Sequence, residues 1–179
     1  MQTIIETVQQ ALIENIDEKT RDNAQSFFKE KILYHGVKVP LVNKISKELF
    51  TSIKELPKNE IFSLCEALWE SGYSEESYIA CNWSYYIHTQ YQPEDFAVFE
   101  KWVNSYVNNW ASCDTLCNHT VGTFLEMYPD YISRLKEWAR SDNRWTKRAA
   151  AVTLIIPARK GMFLQDIFEI ADILLYDPD

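Results

Sequence analysis

Apolar residues recur along this chain at spacings of three and four, the period that lines one face of an α-helix. Ile4, Ile5, Val8, Leu12 and Ile16 form a first stripe, and Phe27, Phe28, Ile32 and Leu33 a second, so each predicts an amphipathic helix. In Tyr34-His35-Gly36-Val37-Lys38-Val39-Pro40, Gly36 reads as a helix stop and Pro40 as a first-turn residue of the next helix, where a missing N–H costs nothing. That next helix offers Leu41, Ile45 and Leu49. Pro57 then opens a helix with Ile61, Leu64, Cys65 and Leu68, Ser74 caps one running to about His88, and Pro93 starts one reaching about Tyr106. Further helices are expected at about 110–128, 129–140, 143–156 and 161–176. Roughly ten short helices with brief connections describe an array, not a four-helix bundle.

An internal echo supports stacking. The stretch Phe62 to Ser71 resembles Ile132 to Ser141, and with the same offset Ala80 falls on Ala150. Two units of about 35 residues fit that spacing, which is the period of paired-helix solenoids whose units bury their apolar faces only against neighbours. Composition agrees. Only 4 Gly and 6 Pro in 179 residues leave little punctuation for a many-turned sandwich or barrel, and 46% hydrophobic residues suffice for a core. The expected class is all-α in a single domain spanning 1–179.

Four cysteines, Cys65, Cys81, Cys113 and Cys117, lack a disulfide-framework spacing, and the start Met1-Gln2-Thr3-Ile4-Ile5-Glu6 lacks the basic and apolar regions of a signal peptide. Reduced thiols in a cytoplasm are the expectation. No apolar run approaches the roughly 20 residues of a membrane span, so no membrane partner is expected. The C-x3-C-x-H spacing of Cys113, Cys117 and His119 has no second ligand cluster, which argues against a metal site.

Charge is segregated. The formal net charge is -8, yet Arg134 to Lys160 holds eight of the eighteen Lys and Arg residues and only two acids, Glu137 and Asp142. Within that island lies Arg144-Trp145-Thr146-Lys147-Arg148, cations beside an aromatic, which suits a polyanion such as a nucleic-acid backbone. Upstream, Trp110 and Asp114 are four apart and share a helix face. Structural readings stand beside these. Trp110 and Trp145 could pack in the core, Asp114 could sit exposed near a helix start, and Arg148 could pair with an acid of the neighbouring repeat as readily as with phosphate.

The blocks Gly36-Val37-Lys38-Val39-Pro40 with Lys44, Ala67-Leu68-Trp69-Glu70-Ser71, Trp110 with Asp114, and Ser141 through Ala150 resemble, in order and spacing, the DNA alkylation repair (AlkD-like) glycosylases built from HEAT-like repeats. The likeness covers about residues 20–179 and is most specific around Trp145 and Arg148. It implies a right-handed superhelical solenoid of HEAT-like helix pairs. It also implies hydrolysis of the N-glycosidic bond of cationic N3- or N7-alkylated purines in duplex DNA, by a monomer with water as nucleophile and neither metal nor organic cofactor. Under the resemblance Trp110 and Asp114 are catalytic, and Arg148, Trp145, Lys147, Arg144 and Lys44 bind DNA. Whether the base is extruded stays open.

Departures from the pattern are specific. The family usually has arginine near Asn43 and near Ser77, and it continues for about another repeat bearing a Gly-Trp segment, whereas this sequence stops at Asp177-Pro178-Asp179. A single domain lacking that repeat is therefore expected. The alternative function is a non-catalytic HEAT-like solenoid that binds DNA or a partner protein through the basic island.

Overall fold

The computed structural model describes residues 3–178; Met1 and Gln2 of the N-terminal stretch read above, and Asp179, lie outside the described residues. Among the described residues all regular structure is helical, with one isolated parallel bridge between Leu33 and Tyr73. The chain forms two units, Met1–Gln90 and Tyr91–Asp179.

In the first unit the helices are α1 (Ile4–Ile13), α2 (Glu18–Ala24), α3 (Val39–Phe50), α4 (Lys58–Glu70) and α5 (Ser74–Tyr86). Thr3 starts α1 with a capping box in which its hydroxyl accepts from the Glu6 amide while the Glu6 carboxylate accepts from the Thr3 amide. Asp17 caps α2. Hydrogen bonds from Thr20 and then Lys38 hold its carboxyl down at about 2, so its contribution to stability is complete above the ordinary value of 3.8 and is lost as pH falls toward 2. Pro40 does stand in the first turn of α3, and Pro57 immediately precedes α4. Val8, Leu12, Val42, Ile61, Leu68, Ile79 and Trp83 fill the core, each large side chain worth about 1.5–3 kcal/mol of burial. The Trp83 indole N–H, buried with them, donates to the Ser46 carbonyl at 3.0 Å.

The second predicted stripe fails. Residues after Ala24 make a single 3-10 turn, Gln25–Phe27, and then run without a helix to Val39, leaving Phe27 71% exposed. The Gln25 side chain explains the change: its amide nitrogen donates to the carbonyls of Phe28 and Glu30 and its oxygen faces the Ile32 amide, satisfying the backbone outside a helix. Nor does Gly36 end a helix. It holds φ +100 in a loop whose three successive amides, of His35, Gly36 and Val37, donate to the Glu75 carboxylate at 2.8–3.0 Å. Glu75 is fully buried, and Glu76 beside it accepts from Gln9 and contacts the His35 ring nitrogen at 2.9 Å. A charged residue inside this unit thus serves as the acceptor that an irregular loop needs.

The second unit contains α6 (Phe96–Ser105), α7 (Trp110–Thr115), α8 (Gly122–Met127), α9 (Ile132–Trp138), α10 (Arg144–Val152), α11 (Ile155–Arg159) and α12 (Leu164–Leu174). The expected helix at 143–156 is broken at Thr153 and Leu154, and the expected helix at 110–128 is interrupted by a π-helical segment, Leu116–Val121. Aromatics form the centre: Phe96 stacks on Trp138 at 5.3 Å, and Phe99 meets Phe124 edge-on at 5.7 Å. Gly122 follows the π segment because an added Cβ would come within 3.1 Å of the Cys117 carbonyl and 3.2 Å of the Thr153 carbonyl.

Polar contacts repeat at nearly one separation. Arg134 pairs with Glu100, Arg148 with Asp114 and Lys160 with Glu126, each 34 residues apart, and Trp138 donates its indole N–H to Glu100 across 38. Successive helix pairs therefore face one another in a common register within this unit, as the period of about 35 predicted.

Glu75→Ala should destabilise the protein by at least about 3 kcal/mol, because three buried amides lose a charged acceptor at once. Urea denaturation followed by helical circular dichroism measures it; a loss below about 1 kcal/mol would show that the loop satisfies its amides in another way.

Candidate functional site

Two short helices build the site. Asn109 starts α7: buried itself, it accepts from the Ser112 amide through Oδ1 at 2.9 Å and so fixes where Trp110 leaves the chain. Trp110 is the first helical residue and is 42% exposed, too open for a core tryptophan. One turn later comes Asp114, whose neighbours Ser112 and Cys113 are buried. The π-helical segment begins directly after Thr115, and such wider turns gather at functional sites.

Asn143 starts α10 in the same manner, accepting from the Trp145 amide at 2.9 Å. Thr146, Ala149, Ala150 and Val152 face inward, and the two alanines allow close approach of the neighbouring helices. The closeness to α7 is visible in Cys113, whose Sγ lies 3.6 Å from the Trp145 carbonyl. Arg144 and Arg148 are left outward. Arg148 reaches α7, where its Nε and Nη2 donate to Oδ1 and Oδ2 of Asp114 at 2.7 and 2.8 Å. This side-on fork is the strong geometry for a guanidinium and a carboxylate, and it leaves the Nη1 edge of the guanidinium for another acceptor. The hydrogen bond to Asp114 pushes the Arg148 pKa upward against partial burial.

Of the two roles open to Arg148 from sequence, the structure therefore displays the ion pair, and with the carboxylate expected to act beside it. The island is altered by the same principle. It reads as a free cationic stripe along the sequence, but Arg134, Lys136, Lys147, Arg148 and Lys160 each lie on a carboxylate. Lys136 bridges Asp166 and Glu169 at 2.7 and 2.6 Å, and those contacts raise its pKa while lowering that of Glu169. Repeat stacking causes this: acids of α6 to α8 come level with cations one unit later. The signal existed in the sequence as acid-to-cation pairs 34 apart, and an inventory of charges by region misses it.

The remaining expected residues divide. Trp145 is half-buried with the Arg144 guanidinium carbon 4.9 Å from its ring centroid, a cation–π stack. Arg144, Trp145, Lys147 and Arg148 line a cleft of about 300 Å³ together with Leu174 and Asp177. Trp110 and Asp114 are not among its described walls; they stand on α7, reached through Arg148. Lys44 belongs to the first unit, on α3, exposed and 3.9 Å from Glu48. Nearby Asn43, where arginine was expected, accepts from Asn82 at 3.0 Å, and Ser77 is buried with its hydroxyl on the Ser74 carbonyl. Cys113 and Cys117 are buried whereas His119 is exposed.

Comparison with known proteins gives a consistent family. Residues 8–179 match the family model described as DNA alkylation repair enzyme. A solved structure described as a predicted DNA alkylation repair enzyme from Enterococcus faecalis superposes with a TM-score of 0.80 at 15% identity, covering 92% of this chain and 76% of that one. At that identity the likeness is one of fold. No curated protein matches the sequence.

Because the Asp114 and Arg148 side chains are 28% and 40% exposed, their ion pair is screened by water. Asp114→Asn and Arg148→Gln should each shift stability by less than about 1 kcal/mol. Thermal unfolding of the two variants measures this; a loss of several kcal/mol in either would make the pair a structural clamp and unfit as a probe of chemistry.

Proposed function

The chain belongs to the DNA alkylation repair enzyme family, and from that premise we propose that it is a monofunctional glycosylase releasing cationic N3- and N7-alkylated purines from duplex DNA. One observation carries the reading: an exposed indole stands one helical turn before a carboxylate whose two oxygens are held by an arginine fork.

Alkylation at N3 or N7 gives the purine a positive charge, so the base leaves as a neutral molecule with the electron pair of the C1′–N bond. General-acid help at the base is then unnecessary. Positive charge passes instead to the sugar, which becomes oxocarbenium-like as the bond breaks. A fixed carboxylate beside that sugar stabilises the developing charge without reorganising, which is the role assigned to Asp114. Water adds at C1′ and its proton passes to the carboxylate or to solvent. The Trp110 face supports the same charge through cation–π attraction, about 1–2 kcal/mol once water is excluded. Arg148 positions Asp114 and offers its Nη1 edge to a backbone phosphate, with Lys147, Arg144 and Trp145 next to it on α10 and Lys44 on α3 as further contacts. No metal or organic cofactor enters this chemistry.

The alternative, a non-catalytic binding module, draws support from the pairing of island cations with acids, which weakens their field for a polyanion. The two readings separate in one assay. Methylated duplex DNA should release 7-methylguanine with the purified protein, and Asp114→Asn should slow release by about 10²-fold or more. DNA affinity of that variant should be equal or tighter, since a guanidinium loses its counter-ion. Trp110→Ala should slow release less. If wild-type protein binds the duplex and releases no base, the binding module stands and the glycosylase fails.

A further inference from the structure

Lys147 has a partner that no repeat register foretells. Its Nζ lies 2.6 Å from Oδ2 of Asp177, with side chains only 17% and 21% exposed. Asp177 sits in the turn beyond α12, its amide donating to the Leu174 carbonyl, next to an exposed Tyr176. Its carboxylate thereby enters the cleft of about 300 Å³ on α10, where Arg144, Lys147 and Arg148 gather beside the Trp145 ring.

Partial burial strips water from the Lys147 ammonium, so the position demands an anion. Aspartate supplies one in the free protein. A phosphate presents the same acceptor chemistry, and it arrives with a counterion atmosphere whose release favours the exchange. We propose that this cleft is a seat for a backbone phosphate of duplex DNA and that Asp177 fills it as an internal stand-in, displaced when DNA binds. The proposal rests on the DNA-binding part of the reading above and is independent of catalysis. The consequence is selectivity: an acidic protein masks part of its cationic surface until a polyanion outcompetes the mask, which lowers affinity for weaker anions.

Fluorescence anisotropy with a lesion-free duplex, titrated with salt, tests it on wild type, Asp177→Asn, Lys147→Gln, the double variant, and Asp172→Asn as an exposed α12 carboxylate for comparison. Asp177→Asn should tighten binding roughly three- to tenfold near 0.1 M salt and steepen the log–log salt slope by about 0.9, the value for one added phosphate contact. Asp172→Asn should change affinity less than about twofold, as a screened remote charge does. In the Lys147→Gln background Asp177→Asn should have no effect. The proposal is overturned if Asp177→Asn binds no tighter than wild type, matches Asp172→Asn, or keeps its effect without Lys147. Binding by wild type with an unchanged Asp177→Asn refutes the stand-in alone; absence of binding by every form at low salt refutes the DNA-binding reading with it.

Discussion

The contact between Arg148 and Asp114 joins α10 to α7, and the candidate chemistry depends on it. Either residue alone is unremarkable: a half-exposed carboxylate on a short helix, and an arginine before three alanines. Together they make an oriented acid, because the fork of a guanidinium fixes the plane of the carboxylate in a way that a point-charge lysine does not. The same 34-residue register that brings them together also joins Glu100 to Arg134 and Glu126 to Lys160. Catalytic geometry here is a by-product of how the repeats stack, with one pair in the series set beside an exposed indole.

That register also changes how an acidic chain can approach DNA. Counting charge along the sequence gives a basic island in a protein of net charge -8. In three dimensions much of the island is neutralised, so binding cannot rest on a broad electrostatic field. It rests instead on a few cations with spare donors, such as the Nη1 edge of Arg148, and on ion pairs that can exchange a carboxylate for a phosphate. Such an interface trades affinity for discrimination, since each exchange costs a contact already made.

Most of the helices could be read from sequence because spacings of three and four are imposed directly by burial on one face. The failures have a common cause. Phe27, Phe28, Ile32 and Leu33 obey the helical period, yet the Gln25 side chain and the buried Glu75 bind the backbone of that segment in other conformations. Hydrophobic spacing contains no information about those side-chain bonds. Nor did it reveal the π-helical turn after Asp114, which preserves the apolar pattern while widening the backbone ring. Trp110 and Asp114 were legible as a pair because four residues is nearly one turn. Their link to Arg148 required a long-range register, and Asp177 on Lys147, 30 residues apart, follows no repeat at all.

If Arg148 serves catalysis chiefly by orienting Asp114, the two residues must lose their effects together. The most direct measurement is a double-mutant cycle on the single-turnover rate of 7-methylguanine release at saturating protein, using Arg148→Lys, Asp114→Asn and both. Arg148→Lys should slow the wild-type enzyme substantially and add almost nothing once Asp114 is asparagine. Losses that multiply independently in the double variant would contradict the account, placing Arg148 on the DNA and leaving Asp114 to act without it.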